Sequence, residues 1–468
     1  MTTATQRLPL SEKVGYALGD TASNLYFQFF NLFLFYYYTD VFGLDPAAIG
    51  TMFLIANFWD AVNDPLMGAV ADRNQSRFGK YRPFLLWFCV PYGVSGYLMF
   101  VNPDFGETGK LLFAYSTFIG FKMIYTAINV PYSAMMGVLT EDADQRLSLS
   151  KFRFLGGIGG GFIVSLLVRP LVGFFGGDDE LLGFQMTMAV FGTASVALFM
   201  VTFFTTKERL VPQDQQTDIR SDLGFLLRNP PWLAIAGASL CVMSNIAVRG
   251  AVTVHYFKYY LSFGDTVVFS VGHPDSPFHL DFDRTTLFLS SGMLAFLVGV
   301  ALTEIVARGF GKKWGLILCS SLNAASLLAF FFIPADQVGL IYAVNLLGNL
   351  VAGPMPALNW ALYTDVADYG EWRFGSRATG LVFSAAMLAL KMGLTIGGAA
   401  SGWLLDIYGF IPNQEQVPEA VMAIRALFSL LPGGLALGAV GFLLLLPLSE
   451  ARMQAIQAEL GERRREGS

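Results

Sequence analysis

Twelve apolar segments, most of them longer than about 20 residues, run through this chain of 468 residues. A segment of that length crosses the hydrocarbon core of a bilayer as a helix, because only a helix satisfies its own backbone hydrogen bonds there. Only 14% of the residues are charged, against about 25% in soluble domains. We therefore predict an all-α membrane protein with twelve transmembrane helices. The predicted spans are 14–39, 46–71, 83–102, 110–138, 153–174, 183–205, 232–261, 285–307, 314–333, 338–362, 378–405 and 421–448.

The longest polar connection follows the sixth span and divides the chain into two six-helix halves. We predict an N-terminal bundle over 1–206, a central loop over 207–231, a C-terminal bundle over 232–449 and a tail over 450–468. Lys and Arg are concentrated in the connections from even to odd spans, so the positive-inside rule predicts that both termini are cytoplasmic. The tail is expected to form an amphipathic helix at the inner membrane surface.

Asp60 and Asp64 lie four residues apart inside the second predicted span. On a helix this spacing places both carboxylates on one face, one turn apart. A carboxylate in hydrocarbon costs about 2.5–3.5 kcal/mol, so the pair is expected to hold a cation or a proton. The pair therefore indicates cation-coupled transport. The alternative is a structural pair that is bridged to a basic residue across the bundle.

Five stretches carry a resemblance to a known family. They are GYALGDTASN (15–24), YYYTD (36–40), WDAVNDP (59–65), RFGKYRPFLL (77–86) and DYGE (368–371). Together they resemble the glycoside–pentoside–hexuronide:cation symporters, a melibiose permease-like family of the major facilitator superfamily. The resemblance implies two pseudo-symmetric six-helix bundles with the substrate site between them. It also implies import of a glycoside, pentoside or hexuronide with Na⁺ or H⁺ by alternating access.

The resemblance assigns a cation site to the second and fourth helices. It implies that Asp60 and Asp64 are the cation ligands, or the Na⁺ ligands if sodium is the coupling ion, and that Thr126 supplies a further oxygen. Asn63 is adjacent in sequence but points about 100° away on a helix, so we expect a weaker role. Residue types alone do not choose between Na⁺ and H⁺.

The resemblance places the sugar at residues of both halves. Asn24 and Asn129 stand where the melibiose carriers of the family have aspartates, and asparagine reads hydroxyls through neutral hydrogen bonds. Arg153 and Lys391 match basic residues of the family's cavity. Asp20 is an additional carboxylate on the face of Asn24, and two readings stay open for it, a substrate ligand or an acid at the helix end.

Four further candidates come from the residues themselves. Arg249 lies in the seventh predicted span, where it is structural if paired with an acid and suited to a uronate or sulfonate if it faces the cavity. Lys122, in the fourth span, has the same ambiguity. Trp59 and Tyr125 are the aromatic residues that we single out for stacking on a sugar ring.

A faint internal repeat relates the two halves. GAVADRNQSRFGKYRP follows the second span and TEIVARGFGKKWG follows the eighth. The first stretch resembles the superfamily's signature loop, which implies a charge-assisted latch that involves Asp72 and Arg73. Asp365, near the DYGE stretch, is expected to hold the inner gate through salt bridges with a loop such as that of Arg146.

The sequence carries no nucleotide loop, zinc-ligand spacing or Ser/His/Asp grouping, so we expect no enzyme and no cofactor besides the coupling ion. The expected partners are a small sugar, a monovalent cation and the lipid bilayer, with no nucleic acid. We expect a monomer in the bacterial inner membrane. A sodium-dependent lysolipid carrier on the same fold is the alternative, and Asn24, Asn129 and Lys391 favour a hydroxyl-rich ligand over it.

Overall fold

The structure is a computed structural model that describes residues 8–210, 229–263, 265–273, 279–374 and 379–466. Within these ranges, nine helices are long and apolar enough to cross a membrane. The first three predicted spans also form helices there, although one of them carries the Asp60–Asp64 pair. The all-α membrane architecture is confirmed, and the number of twelve spans stays a prediction.

The helices overlap every predicted span, although the eighth, tenth and twelfth predicted spans each fall on two helices. They are α1 Leu10–Phe29, α2 Pro46–Arg73, α3 Arg82–Leu98, α4 Glu107–Leu139, α5 Ala143–Gly176, α6 Glu180–Thr205, α7 Pro230–His255, α8 Arg284–Ala301, α9 Thr303–Phe332, α10 Val338–Ala352, α11 Met355–Phe374, α12 Thr379–Ile407, α13 Pro418–Phe428, α14 Leu430–Leu445 and α15 Glu450–Glu466. Turns of π-helix extend α1 over Phe30–Leu34 and Tyr37–Val41, and α7 over Tyr256–Leu261. One antiparallel hairpin pairs β1 Val267–Val271 with β2 Leu280–Asp283.

The chain divides into two compact units. Unit 1 contains the described residues of Met1–Asp214, Phe263–Ser290 and Pro412–Gln414, and unit 2 those of Gln215–Ser262, Ser291–Ile411 and Glu415–Ser468. Unit 1 thus holds α1 to α6 together with the hairpin. The hairpin packs on α5, where Arg169 forms ion pairs with Asp265 and Asp283.

Close packing of α1 on α5 shapes unit 1. A Cβ atom at Gly156 of α5 would lie 2.3 Å from the carbonyl oxygen of Ala17, so only glycine fits there. The Thr21 hydroxyl donates to the Gly156 carbonyl at 2.9 Å. Small residues allow such close approach between membrane helices, where packing rather than the hydrophobic effect drives association. This packing sets Asp20 and Asn24 of α1 directly against α5.

An ion pair between the buried Glu12 and the partly exposed Arg209 ties the start of α1 to the segment after α6. Arg209 Nη1 and Nη2 lie 2.7 and 2.8 Å from the two carboxylate oxygens of Glu12. The hydrogen bonds to Glu12 raise the pKa of Arg209 above its ordinary value and outweigh the opposing effect of burial. The pair is bidentate, the strongest geometry available to an arginine and a carboxylate.

The predicted repeat corresponds to one local structure in each unit. In unit 1, the Glu208 carboxylate accepts hydrogen bonds from the backbone N–H groups of Lys80, Tyr81 and Arg82 at 2.7–2.8 Å. These groups precede or begin α3, so they lack partners within the helix, and the positive end of its dipole favours a negative charge. Gly79, with a φ of 115°, makes the turn that presents them.

Unit 2 contains a related contact with a single N–H donor, in which the acid is the first residue of α15. The Glu450 carboxylate accepts a hydrogen bond from the backbone N–H of Lys312 at 2.6 Å. Gly311 precedes it with a φ of 75° and interrupts α9. An acid shortly after the last membrane helix of each half was the signal for this contact, and sequence analysis missed it.

Replacing Glu208 with glutamine is expected to destabilise the protein. The amide keeps one oxygen for the three N–H groups and loses the charge, which costs about 1–3 kcal/mol. The midpoint of thermal unfolding of the detergent-solubilised protein measures the effect. Glu141→Gln, at an exposed acid of the same unit, is the control. Equal midpoints for the two variants would contradict the role of Glu208.

The predicted latch at Asp72 has different partners. Asp72 Oδ1 lies 3.4 Å from Lys80 Nζ and accepts a hydrogen bond from the Tyr81 hydroxyl at 2.8 Å, whereas no contact with Arg73 is seen in the described chain. Adjacent residues of a helix point about 100° apart, so Arg73 faces away from Asp72. The turn at Gly79 instead folds Lys80 and Tyr81 back onto the acid.

The other two predicted gating residues are each held within their own unit. In unit 2, Lys312 Nζ lies 2.8 and 2.9 Å from the two carboxylate oxygens of Asp365. In unit 1, Arg146 donates to the carbonyl oxygens of Thr140 and Glu141 at 3.1 and 2.9 Å. A salt bridge between Asp365 and the loop of Arg146 stays a prediction.

The tail forms the expected helix, α15, which packs on unit 2. Met453, Ile456 and Leu460 lie on one helical face and are buried in the core of this unit. The Trp372 indole donates to Glu459 at 2.6 Å. The core of unit 2 therefore covers the apolar face of α15, which was expected from the sequence to lie on the inner membrane surface.

Candidate cation and substrate sites

Three side chains from α2 and α4 meet inside unit 1. The Thr126 hydroxyl lies 2.7 Å from Asp60 Oδ1 and 3.0 Å from Asp64 Oδ1. Asp60 is 6% exposed and Thr126 is 2% exposed. A hydroxyl has one hydrogen and two lone pairs, so it bonds one carboxylate at a time and still offers oxygen to a cation. The structure thus brings together the three residues that the resemblance assigns to a cation.

Lys122 adds a positive charge to this cluster. It lies one helical turn before Thr126 on α4, and its Nζ is 4.0 Å from Asp60 Oδ2. The ammonium also lies 5.9 and 6.0 Å from the ring centres of Phe118 and Tyr125. The spacing of Lys122 and Thr126 equals that of the two aspartates, so helical periodicity alone could have placed Lys122 on this face.

The contact between Lys122 and Asp60 changes the charge balance of the cluster. When all three groups are ionised, two carboxylates and one ammonium leave a single negative charge in excess. One monovalent cation or one proton therefore neutralises the cluster, which lowers the cost of keeping it inside a membrane protein. The alternative to a cation site is a structural aspartate pair that is bridged to a basic residue, and Lys122 is such a residue. Lys122 is therefore part of the cluster under either interpretation.

Two predicted neighbours on α2 lie off the face of the pair. Trp59 is 44% exposed. Asn63 is half-buried, and in the described chain no hydrogen bond joins it to either aspartate. Each is one residue away from an aspartate and is therefore rotated about 100° from it. Their predicted roles stay predictions without a supporting contact.

An ion pair between α1 and α5 forms the second polar cluster of unit 1. Arg153 Nε lies 3.1 Å from Asp20 Oδ1, and Arg153 Nη2 donates to the Ser133 hydroxyl at 3.1 Å. The guanidinium also packs on the ring of Tyr132 at 5.2 Å from its centre. The side chains of Arg153 and Asp20 are 28% and 18% exposed, so the pair remains partly accessible. Asp20 is therefore the partner of Arg153.

The two predicted asparagines continue this cluster. Asn24 Nδ2 donates to the Asp20 carbonyl at 2.9 Å, and Asn129 Nδ2 donates to the Tyr125 carbonyl at 3.0 Å. Asn129 Oδ1 accepts from the Ser23 hydroxyl at 2.5 Å. These bonds use one N–H of each amide and fix its orientation, so the second N–H of each could meet a sugar hydroxyl. Ser23 was missed because a serine in a membrane helix has no distinctive sequence signal.

Helix α4 carries parts of both clusters. Thr126 belongs to the carboxylate cluster, and Asn129 follows it by three residues, close to one helical turn. The ring of Tyr125, the residue before Thr126, lies 6.1 Å from the rings of Tyr92 and Phe121. A movement of α4 would therefore affect the cation ligands and the amide together.

The remaining predicted substrate residues lie in unit 2. The Arg249 guanidinium sits 4.9 and 4.8 Å from the ring centres of Phe330 and Phe428, and its Nη2 lies 3.4 Å from Asn345 Oδ1. The two aromatic rings and the amide oxygen thus fix the orientation of the planar guanidinium group. Lys391 is half-buried on α12. A substrate role for either residue stays a prediction.

The apolar helices of unit 1 enclose ionised side chains, and α4 contributes residues to both the carboxylate cluster and the amide cluster. These features are typical of a membrane transporter. The chain belongs to the MFS/sugar transport protein family, whose sequence profile matches residues 15–274 and 280–450. This result confirms the predicted family and confirms transport rather than catalysis. It also confirms an integral membrane protein.

Several curated relatives match over nearly the whole chain. The putative glycoside/cation symporter YagG of Escherichia coli (strain K12) is 37% identical over 97% of this chain and 95% of its own length. The inner membrane symporter YicJ of the same strain is 34% identical over 91% of this chain and 89% of its own. The isoprimeverose transporter of Lactiplantibacillus pentosus is 31% identical over 93% of this chain and 88% of its own.

Solved structures agree with the major facilitator fold. The nucleoside transporter NupG superposes with a TM-score of 0.62 at 12% identity, over 94% of this chain and 100% of its own. A bacterial homologue of the human drug peptide transporters PepT1 and PepT2 gives a TM-score of 0.66 at 11% identity, over 96% and 99%. At these identities the likeness concerns the fold alone.

Proposed function

We propose that this chain imports a glycoside, pentoside or hexuronide together with a monovalent cation. The observation that carries the proposal is the contact of Thr126 with both Asp60 and Asp64 in the interior of unit 1. Buried carboxylates of this kind are costly unless they hold a cation or proton. Relatives that are named as a glycoside/cation symporter and an isoprimeverose transporter support a sugar as the cargo.

Coupling follows from the position of α4. A cation held by the carboxylate cluster orders Thr126, and a sugar held by the amide cluster orders Asn129 on the same helix. Each ligand therefore lowers the cost of ordering the helix for the other, and this coupling is reciprocal. The cation also removes the excess negative charge of Asp60, Asp64 and Lys122, so the loaded carrier changes conformation more readily than the half-loaded one.

Sugar recognition is assigned to the cluster on α1, α4 and α5. Asn24 and Asn129 offer amide N–H groups, and the Asp20–Arg153 pair offers charged acceptors and donors that suit hydroxyl groups. Lysolipid transport is not favoured, because relatives are named for a glycoside, isoprimeverose and a glucuronide and because this cluster is polar. Both termini in the cytoplasm remain our expectation from the distribution of Lys and Arg. A monomer is a separate expectation that this distribution does not bear on.

Uptake by purified protein in liposomes tests the proposal. A panel of labelled glycosides, pentosides and uronides is offered with an inward Na⁺ gradient, an inward H⁺ gradient or neither. We expect at least one sugar to accumulate above its outside concentration only under one of the two gradients. Equal sugar levels with and without any gradient would contradict coupling, and displacement of the sugar by a lysolipid would support the alternative.

A further inference from the structure

Lys122 occupies a specific place beside the aspartate pair. Its Nζ lies 4.0 Å from Asp60 Oδ2, while Thr126 bonds Asp60 through Oδ1. The two oxygens of Asp60 therefore face two different groups of α4. The Lys122 side chain is 18% exposed, so solvent screens its charge only in part. The rings of Phe118 and Tyr125 stabilise the ammonium at this position through cation–π interactions.

An alkali cation at this site would meet a charge of the same sign. Na⁺ or Li⁺ bound to Asp60 and Thr126 would come within a few ångströms of the Lys122 ammonium. Like charges repel strongly at that separation in a partly desolvated site. The cation would also have to exchange its hydration shell for an Asp60 carboxylate that is already partly neutralised. The donor set therefore suits an alkali cation poorly as long as Lys122 is present.

We propose that Lys122 is a tethered cation that excludes Na⁺ and Li⁺ from Asp60 and so determines the ion selectivity of this transporter. The inference rests on the proposed function and refines it, because it removes alkali cations from the candidate coupling ions. The ammonium takes the position of the metal ion and cannot leave the site, so an Na⁺ gradient does not drive uptake.

Lys122→Met tests this inference. The variant keeps the length and apolar stem of the side chain and removes its charge. Purified wild type and variant are heated in NaCl, LiCl or choline chloride at equal ionic strength. We expect equal unfolding midpoints in the three salts for the wild type. For Lys122→Met, we expect a midpoint several degrees higher in NaCl or LiCl than in choline chloride, as mass action requires for a ligand that binds only the folded state.

Two further variants separate charge from packing. Lys122→Arg keeps the positive charge and is expected to behave like the wild type in all three salts. Lys110→Met removes a lysine of the same helix that lies over Phe42, 5.6 Å from the ring centre, and it should gain no response to Na⁺. Should Lys122→Met fail to fold, Lys122→Gln is used in the same comparison, together with a direct measurement of radioactive Na⁺ binding to the wild type.

Several outcomes would overturn the inference. One is stabilisation of the wild type by Na⁺ to the same extent as Lys122→Met. A second is Na⁺-driven sugar uptake or stoichiometric Na⁺ binding by the wild type. A third is a folded, sugar-binding Lys122→Met that responds to neither Na⁺ nor Li⁺. If no gradient drives uptake by the wild type, the proposed function fails, whereas the salt response of Lys122→Met still decides the role of Lys122.

Discussion

Replacing Asp60 with asparagine is expected to reduce gradient-driven sugar accumulation by about 10- to 100-fold, which is the accumulation that one co-transported charge supports at a driving force of about 60–120 mV. The amide removes the more buried of the two negative charges and leaves Lys122 beside a neutral group. The cluster then no longer needs a cation or proton for neutrality, so the coupling is lost. Asp64→Asn should have a similar but smaller effect, because Asp64 is less buried and lies farther from the Thr126 hydroxyl.

Two uptake measurements distinguish lost coupling from lost folding. Accumulation against a gradient should collapse in Asp60→Asn, while exchange of labelled for unlabelled sugar at equal concentrations should continue. Asp104→Asn, at an exposed acid in the loop before α4, is the control and should behave like the wild type. Full accumulation by both Asp60→Asn and Asp64→Asn would exclude the pair from the coupling mechanism.

A glycine-to-alanine series on α5 is expected to separate folding from substrate binding. At Gly156 the new Cβ would lie 2.3 Å from the Ala17 carbonyl oxygen, a backbone atom that cannot rotate away. The two helices must therefore separate, which costs about 1–3 kcal/mol or more. At Gly159 nothing lies within 4 Å of the new Cβ. Gly159→Ala should be neutral or stabilising by up to about 1 kcal/mol, since alanine favours helix.

Gly157 provides the intermediate member of this series. Its new Cβ would lie 2.6 Å from Asp20 Oδ2 and 3.1 Å from Asn24 Nδ2, both of which are side-chain atoms that can move. We expect Gly157→Ala to fold with a nearly normal unfolding midpoint and to bind sugar more weakly. Thermal unfolding and sugar binding are measured for all three variants. A wild-type midpoint for Gly156→Ala would refute the packing argument, and unchanged sugar affinity in Gly157→Ala would refute the role of the α1 cluster.

Periodicity within one helix was readable from the sequence. The shared face of Asp60 and Asp64 followed from their spacing, and the same spacing would have placed Lys122 with Thr126. Pairing between helices was not readable in this way. Asp20 and Arg153 are separated by 133 residues, and Glu208 contacts the backbone of Lys80 from 128 residues away. Nothing in the local pattern of either partner indicates the other.

The same limit explains the predicted gating contacts. The sequence showed acids and bases at matching places in the two halves. Each half has a glycine turn, at Gly79 or Gly311, in which the N–H of the next residue donates to a carboxylate. The choice of partner depended on which side chains the turn folds back. Asp72 therefore meets Lys80 and not its neighbour Arg73, and Asp365 meets Lys312.

The sequence by itself determined the class of this protein, because the length of an apolar segment and the cost of a buried carboxylate are local quantities. It therefore predicted membrane helices, an interior aspartate pair and, through its motifs, a sugar transporter family. Only the tertiary structure decided which charges meet. The rotation of one helix against another depends on packing along its whole length, and that packing sets Lys122 beside Asp60 and Arg153 beside Asp20.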